Sequence, residues 1–225
     1  MNERVAQVKV SGRVRDRFLY IPHANRLTNK KGIVIQRPKS DDFFDDLNKK
    51  QGFNKNLTVE QKSAYDYYQG SGYDSMNKAM LNESPDNPLS EFHQNKLDAM
   101  LSGAKELGAS GLQMYRYQGM SFLKDLASQY GVSDFKDLVG KVGLFKNMVS
   151  MTYNPDKPKS FWDKPHMIVF DDVPSSLMGH LMSDHKWEGE FLANRFVGVK
   201  ITSVEKVGNY WVTHMRIISQ NGKKL

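Results

Sequence analysis

Apolar residues change their spacing twice along this chain, and the changes divide it into three stretches. In the first, up to about residue 55, Val5, Val8, Val10 and Val14, and later Gly32-Ile33-Val34-Ile35, predict short strands. Pro22 to Gly32 between them reads as a loop, and Ser40 to Leu47 as the opening of a short helix. This stretch is an extension or small lobe, with its boundary between Gly52 and Leu57. Helical spacing then takes over. Thr58-Val59-Glu60-Gln61 has the form of a capping box, with Thr58 as N-cap and Gln61 three residues on. It predicts a helix through Tyr65 and Tyr68, ended by Gly70-Ser71-Gly72. A second helix runs from about Asp74 with Met76, Asn77, Met80 and Leu81. A third starts at Ser90-Glu91-Phe92 with Leu97, Met100, Leu101 and Leu107, and stops at Gly108-Ala109-Ser110-Gly111.

From Leu112 onward the period shortens to two. Leu112 to Tyr117 alternates as a strand, and Ser121 to Tyr130 returns briefly to helix with Phe122, Leu126 and Tyr130 on one face. Strand-like runs follow at Leu144 to Tyr153, His166 to Phe170, Glu190 to Leu192, Phe196 to Val204 and Tyr210 to Ser219. Helices first and many short strands afterwards is an α+β pattern. The chain shows no internal repeat and no low-complexity tract.

Composition removes several chemistries. The 225 residues include no cysteine, which excludes disulfides, zinc–thiolate sites and cysteine nucleophiles. The six histidines are scattered, with no His-Glu-x-x-His and no paired metal spacing, so no metal site is expected. Gly70-Ser71-Gly72 lacks the lysine of a phosphate loop, and no Gly-x-Gly-x-x-Gly occurs. The twelve methionines read as core filler. No apolar run reaches the length of a bilayer span, and the first residues lack the apolar core of a secretory leader. A cytoplasmic protein without a membrane partner is the default. Lysine and arginine number 32 against 25 acidic residues, net +7, which favours acidic partners such as nucleic acid or a nucleotide pyrophosphate. That excess reads as spread along the chain. Arg13, Arg15 and Arg17 fit a solvated strand face more readily than a nucleic-acid site.

The residues with most chemistry lie in Trp187-Glu188-Gly189-Glu190-Phe191-Leu192. In an extended segment, residues two apart share a side of the backbone, so Glu188 and Glu190 aim into one cleft while Phe191 anchors the strand. Paired carboxylates suit a reaction that builds positive charge: one stabilises the cation and the other handles a proton. Upstream, Tyr115-Arg116 ends one strand and Ser150-Met151-Thr152 another. The arginine fork suits phosphate oxygens.

The order Arg116, Ser150-Met151-Thr152, Glu188-Gly189-Glu190 resembles the arginine / Ser-Thr-Ser / Glu-x-Glu order of bacterial exotoxin-type mono-ADP-ribosyltransferases, a class that includes bacteriophage-encoded enzymes. Tyr65 to Asn77, with its Gly/Ser turn, is similar to that family's helical entry, and Arg195-Phe196 with Val199, Ile201 and Val204 to the strand after its glutamate motif. The resemblance extends over roughly residues 57–218. It implies a catalytic domain over 56–225 with a split core of two facing antiparallel sheets, a helical flank, and an NAD cleft between.

It further implies that Glu190 bonds a ribose hydroxyl of NAD and stabilises an oxocarbenium-like transition state, as carboxylates do in glycoside hydrolysis. Ser150 supports the nicotinamide pocket and holds Glu190 through its hydroxyl. Glu188 orients and deprotonates the acceptor, and Arg116 holds the pyrophosphate. Tyr73, Asn77, Tyr115, Thr152 and Phe161 join the NAD-binding set. Glutamate at the first position goes with arginine as the acceptor on a target protein. Trp187 either anchors that target or packs in the core. Two features depart from the family: the middle motif is Ser-Met-Thr, and Leu81 stands where many relatives carry an arginine that supports NAD. The rival readings are a non-enzymatic virion or nucleic-acid-binding module that kept the fold, and an enzyme of this class that hydrolyses NAD or modifies nucleic acid. Delivery into a host cell as an effector is a further implication of the resemblance.

Overall fold

The computed structural model of the chain describes residues 41–153, 164–182, 189–207 and 210–225, and four short strands within the first forty residues. The chain divides into two compact units, Met1–Ser40 and Asp41–Leu225. The smaller is an antiparallel sheet in the order β1 (Ala6–Gln7), β2 (Phe18–Ile21), β3 (Arg26–Asn29), β4 (Val34–Gln36). The stretch expected to loop from Pro22 to Gly32 therefore contains a strand. Arg13, Arg15 and Arg17 lie outside the described residues.

This division corrects the reading of the charge. The first forty residues hold ten Lys/Arg against two Asp/Glu, net +8; the other 185 hold 22 against 23, net −1. The whole excess belongs to the smaller unit.

The larger unit begins with α1 (Asp41–Gln51), and Leu47 of this helix and Phe53 just beyond it fall in its core. α2 (Val59–Tyr67) opens on the expected capping box. The Thr58 hydroxyl accepts from the Gln61 amide at 3.2 Å, and the Gln61 side chain accepts from the Thr58 amide at 2.9 Å. Two otherwise orphaned donors are thereby satisfied.

Gly70-Ser71-Gly72 does not end the helix. Tyr68–Gly72 forms a π-helical turn kinked at Gly70 (φ −91°, ψ −118°) that runs directly into α3 (Tyr73–Asn82). α4 (Glu91–Gly103) is capped by Ser90 and stops four residues before Leu107. Leu107 instead follows β5 (Lys105–Glu106), with its amide bonded to the Leu177 carbonyl at 2.8 Å.

Among the described residues of this unit, ten strands form one hydrogen-bonded sheet. Besides β5 they are β6 (Leu112–Gln118), β7 (Val142–Phe145), β8 (Val149–Thr152), β9 (His166–Val173), β10 (Met178–Leu181), β11 (Glu190–Ala193), β12 (Val197–Val207), β13 (Tyr210–Gln220) and β14 (Lys223–Lys224). The order is β5-β10-β11-β8-β6-β9-β13-β12-β7, with β14 on β13, and among the described residues only β9 and β13 pair in parallel. The run expected as one strand from Leu144 to Tyr153 is two, because the chain turns at Lys146–Asn147. β10 escaped the sequence reading, since Met178-Gly179-His180-Leu181 has neither clean alternation nor β-branched residues.

Where β6 meets β8 the ladder narrows to one register pair, Tyr115 with Thr152. The sheet curls there into two halves, which is the α+β split core expected. Alternation along β11 divides the apolar residues between two cores. Phe191 and Ala193 join α1, α5 (Ser121–Tyr130) and the long strands, whereas Leu192 joins Met76, Met80, Leu97 and Met100 of the helical flank. A buried ion pair from Arg195 to Glu83, with Arg195 Nε donating to the Lys146 carbonyl at 3.1 Å, ties the turn after β11 to the end of α3. Among the described residues, no helix is long and apolar enough to cross a membrane.

Candidate active site

Register brings the three sequence motifs together. Glu190 on β11 stands opposite Thr152 on β8, and Thr152 stands opposite Tyr115 on β6. Residues in such a row lie about 5 Å apart at Cβ and share one face of the sheet. Ser150 occupies the next row on that face, opposite Leu192. Thr152, rather than Ser150, is thus the residue directly across from Glu190.

Arg116 is half-buried beside this row. Its Nη1 donates to the Ser150 carbonyl at 3.0 Å, and its Nε donates to Gln118 Oε1 at 2.9 Å. Two fixed donors define the plane of the guanidinium, leaving the rest of the fork for an anion.

The helical flank supplies the opposite wall. Tyr68, in the π-helical turn, is 2% exposed, and its hydroxyl accepts from Asn77 Nδ2 at 3.0 Å. The same Nδ2 donates to the Tyr73 carbonyl at 2.9 Å, while Asn77 Oδ1 accepts from Asn147 Nδ2 at 2.6 Å. Burial raises the pKa of the Tyr68 phenol, and the donation from Asn77 opposes that rise. The charges of Glu190 (raising) and Arg116 (lowering) also act on it, so Tyr68 lies within electrostatic reach of both. Tyr73 is 41% exposed and meets Tyr68 edge-on at 5.5 Å. Tyr68 and Asn147 were absent from the sequence-predicted set. The only signal for Tyr68 was its place before a Gly/Ser turn, and Asn147 carried none.

Gly189 explains the spacing of the glutamate motif. Its φ is +57°, in the left-handed region, and a Cβ there would collide with the ring of Tyr153. Gly189→Ala is expected to destabilise this loop by about 1–3 kcal/mol through strain and overlap, and to lower NAD turnover at unchanged overall fold. Kinetics alongside a thermal melt check it; full activity would mean that Glu190 tolerates a shifted backbone. Glu188, Trp187 and Phe161 lie outside the described residues.

On the same face a hydrogen-bonded chain continues from the site toward β13. Tyr115 Oη donates to Gln113 Oε1 at 2.7 Å, Gln113 Nε2 to Asp171 Oδ1 at 2.6 Å, and Asp171 Oδ2 lies 2.8 Å from His214 Nδ1. His214 and Tyr115 are in one register row through Val169, so the chain braces the row from its far end. Among the described residues, no group of three or more His, Asp or Glu could hold a metal ion.

The curled sheet with its helical flank is the fold of ADP-ribosylating toxins. It matches Plx2a, an ADP-ribosyltransferase toxin from Paenibacillus larvae, at TM-score 0.64 and 14% identity, covering 80% of this chain and 96% of that one. It matches the C3 exoenzyme of Clostridium limosum at 0.61 and 15%, covering 80% and 95%. It also matches BECa, from a binary enterotoxin of C. perfringens and solved with NADH, at 0.65 and 16%; there this chain is covered to 86%, and that one to 54%. No curated protein sequence matches the chain. The model of the ADP-ribosyltransferase exoenzyme family matches residues 46–224, and the chain belongs to that family, the bacterial exotoxin-type mono-ADP-ribosyltransferases.

Proposed function

We propose that the larger unit transfers ADP-ribose from NAD to an arginine of a target protein, with release of nicotinamide. The observation that carries this is the row Tyr115–Thr152–Glu190 with Arg116 fixed beside it, which sets one carboxylate and one guanidinium on a shared wall. Arg116 takes the pyrophosphate, and Tyr73 and Asn77 with Tyr115, Ser150, Thr152 and Phe161 enclose the nucleotide. Departure of nicotinamide breaks the bond between its ring nitrogen and the ribose C1′. The electron pair leaves with the pyridinium, which becomes neutral, and positive charge develops on the ribose. Glu190, bonded to a ribose hydroxyl, stabilises that charge. The acceptor guanidinium then attacks C1′ through one nitrogen, and its proton passes to Glu188. Trp187 beside Glu188 gives the target an aromatic anchor.

The test uses radiolabelled NAD with a cell lysate and, separately, with a small guanidino acceptor. Wild type is expected to label protein and the guanidino compound. Glu188→Gln is expected to keep nicotinamide release within a few-fold while losing transfer by about two orders of magnitude or more, the range of a lost general base. Equal transfer by Glu188→Gln would remove the acceptor role from that residue. Labelling of protein with none on the guanidino compound would point to another acceptor side chain.

A further inference from the structure

We propose that Gln118 is a positioning residue: it takes one edge of the Arg116 guanidinium, so that the NAD pyrophosphate is met across the other. This role rests on the reading of Arg116 as the pyrophosphate's partner. Arg116 and Gln118 are two residues apart on β6 and share a side of that strand. Arg116 Nε donates to Gln118 Oε1 at 2.9 Å, and Nη1 donates to the Ser150 carbonyl at 3.0 Å. A guanidinium grips oxyanions through two parallel N–H bonds along either of two edges, Nε with Nη2 or Nη1 with Nη2. The bond to Gln118 occupies Nε and closes the first edge. What remains is the Nη1–Nη2 end, whose direction the Ser150 carbonyl helps to set.

The residue type at position 118 fits this task better than it fits packing. A guanidinium only donates, so the amide must turn its oxygen to Arg116. Its Nε2 is then buried without a hydrogen-bond partner among the described residues. A buried donor left without an acceptor is costly, and methionine, of similar length, would carry no such cost. Glutamate would hold Nε equally well, but its charge would cancel the one that attracts the pyrophosphate. Glutamine holds the edge and leaves the charge. Opposite Gln118 in register stands His166, fully buried, with Nε2 2.9 Å from Thr213 Oγ1. Burial lowers the pKa of that ring to about 4, so near neutral pH it adds no second charge beside the amide.

The experiment follows nicotinamide release by the full chain as NAD is varied, with ADP-ribose and nicotinamide as competing ligands. Gln118→Met is expected to raise KM for NAD, and the inhibition constant of ADP-ribose with it, by about tenfold or more. Because the pyrophosphate is held alike in ground and transition states, kcat should stay within about threefold of wild type. The inhibition constant of nicotinamide, which has no phosphate, should stay within about twofold, and Tm within about 2 °C. Arg116→Lys should itself raise KM by about tenfold or more. Adding Gln118→Met to Arg116→Lys should then change KM by less than about twofold, because an ammonium has no edge to select. An undiminished effect of Gln118→Met in the lysine background, or a raised KM with an unchanged ADP-ribose constant, would make Gln118 a packing residue and overturn the proposal. Unchanged KM in Gln118→Met, with KM raised in Arg116→Lys, would overturn it and leave the reading of Arg116 standing. Unchanged KM in Arg116→Lys would remove both.

Discussion

Glu190→Gln is expected to lower nicotinamide release from NAD by about 10²–10³-fold, with a much smaller change in KM. The amide keeps the size of the carboxylate and can still bond a ribose hydroxyl, so the ground state is held. It lacks the negative charge, and the charge matters only as the ribose becomes cationic. An interaction made in the transition state alone appears in kcat. The neighbours of Glu190 predict that the variant folds: the residue is half-buried at the start of β11, whereas Phe191, Leu192 and Ala193 carry the packing. Steady-state kinetics with a thermal melt as control provide the test. Release within about threefold of wild type would take catalysis away from this residue, since an electrostatic stabiliser of such a cation is worth more than that.

Acid should destabilise the larger unit steeply. His166 is fully buried with Nε2 2.9 Å from Thr213 Oγ1, and His180 is 2% exposed, stacked on Tyr65 at 3.9 Å and edge-on to Phe53 at 6.0 Å. Burial lowers both imidazoles to about 4, helped by the positive charge of Arg116 near His166 and of Lys105 near His180. A histidine whose pKa is lower folded than unfolded binds more protons when unfolded. Stability is therefore fully present above the unfolded value near 6.5 and is lost as pH falls toward 4.

At pH 5 the loss is about 2 kcal/mol per histidine, a large share of the stability of an ordinary domain. Urea titrations at pH 7 and pH 5 on wild type and His180→Phe test this. The phenyl ring retains the stacking partner and cannot ionise, so the variant's drop between the two pH values should be smaller by about 2 kcal/mol. An equal drop in both proteins would mean that His180 is not what acid attacks.

The motif residues stand out in the sequence because each sits in a locally patterned segment. Thr58 and Gln61 announce α2 through a cap that needs only four residues. Glu190 stands out because a glycine and an apolar run flank it. Features that depend on distant residues were not legible. Gly70-Ser71-Gly72 reads as a stop, yet Tyr68 packs into the helical core and draws the chain through a π-helical turn instead. Leu107 continues a helical period but belongs to the other core, because Ala104 has already left the helix with extended backbone. The even distribution of charge was a reading of the whole chain, and it dissolved once the chain divided at Ser40.

By itself the sequence determined the α+β class, the helix starts, the absence of thiol chemistry, and the family to which Arg116, Ser150 and Glu190 point. These follow from spacing, capping and residue type, which are local. Only the tertiary structure decided that Thr152 faces Glu190, that Arg116 is held by the Ser150 carbonyl, and that Asn147 completes the Tyr68–Asn77 bonds. It also decided that Gly189 is required by Tyr153. Strand register and side-chain packing join residues tens of positions apart. Their energies depend on which surfaces meet, and no window of the chain contains both partners.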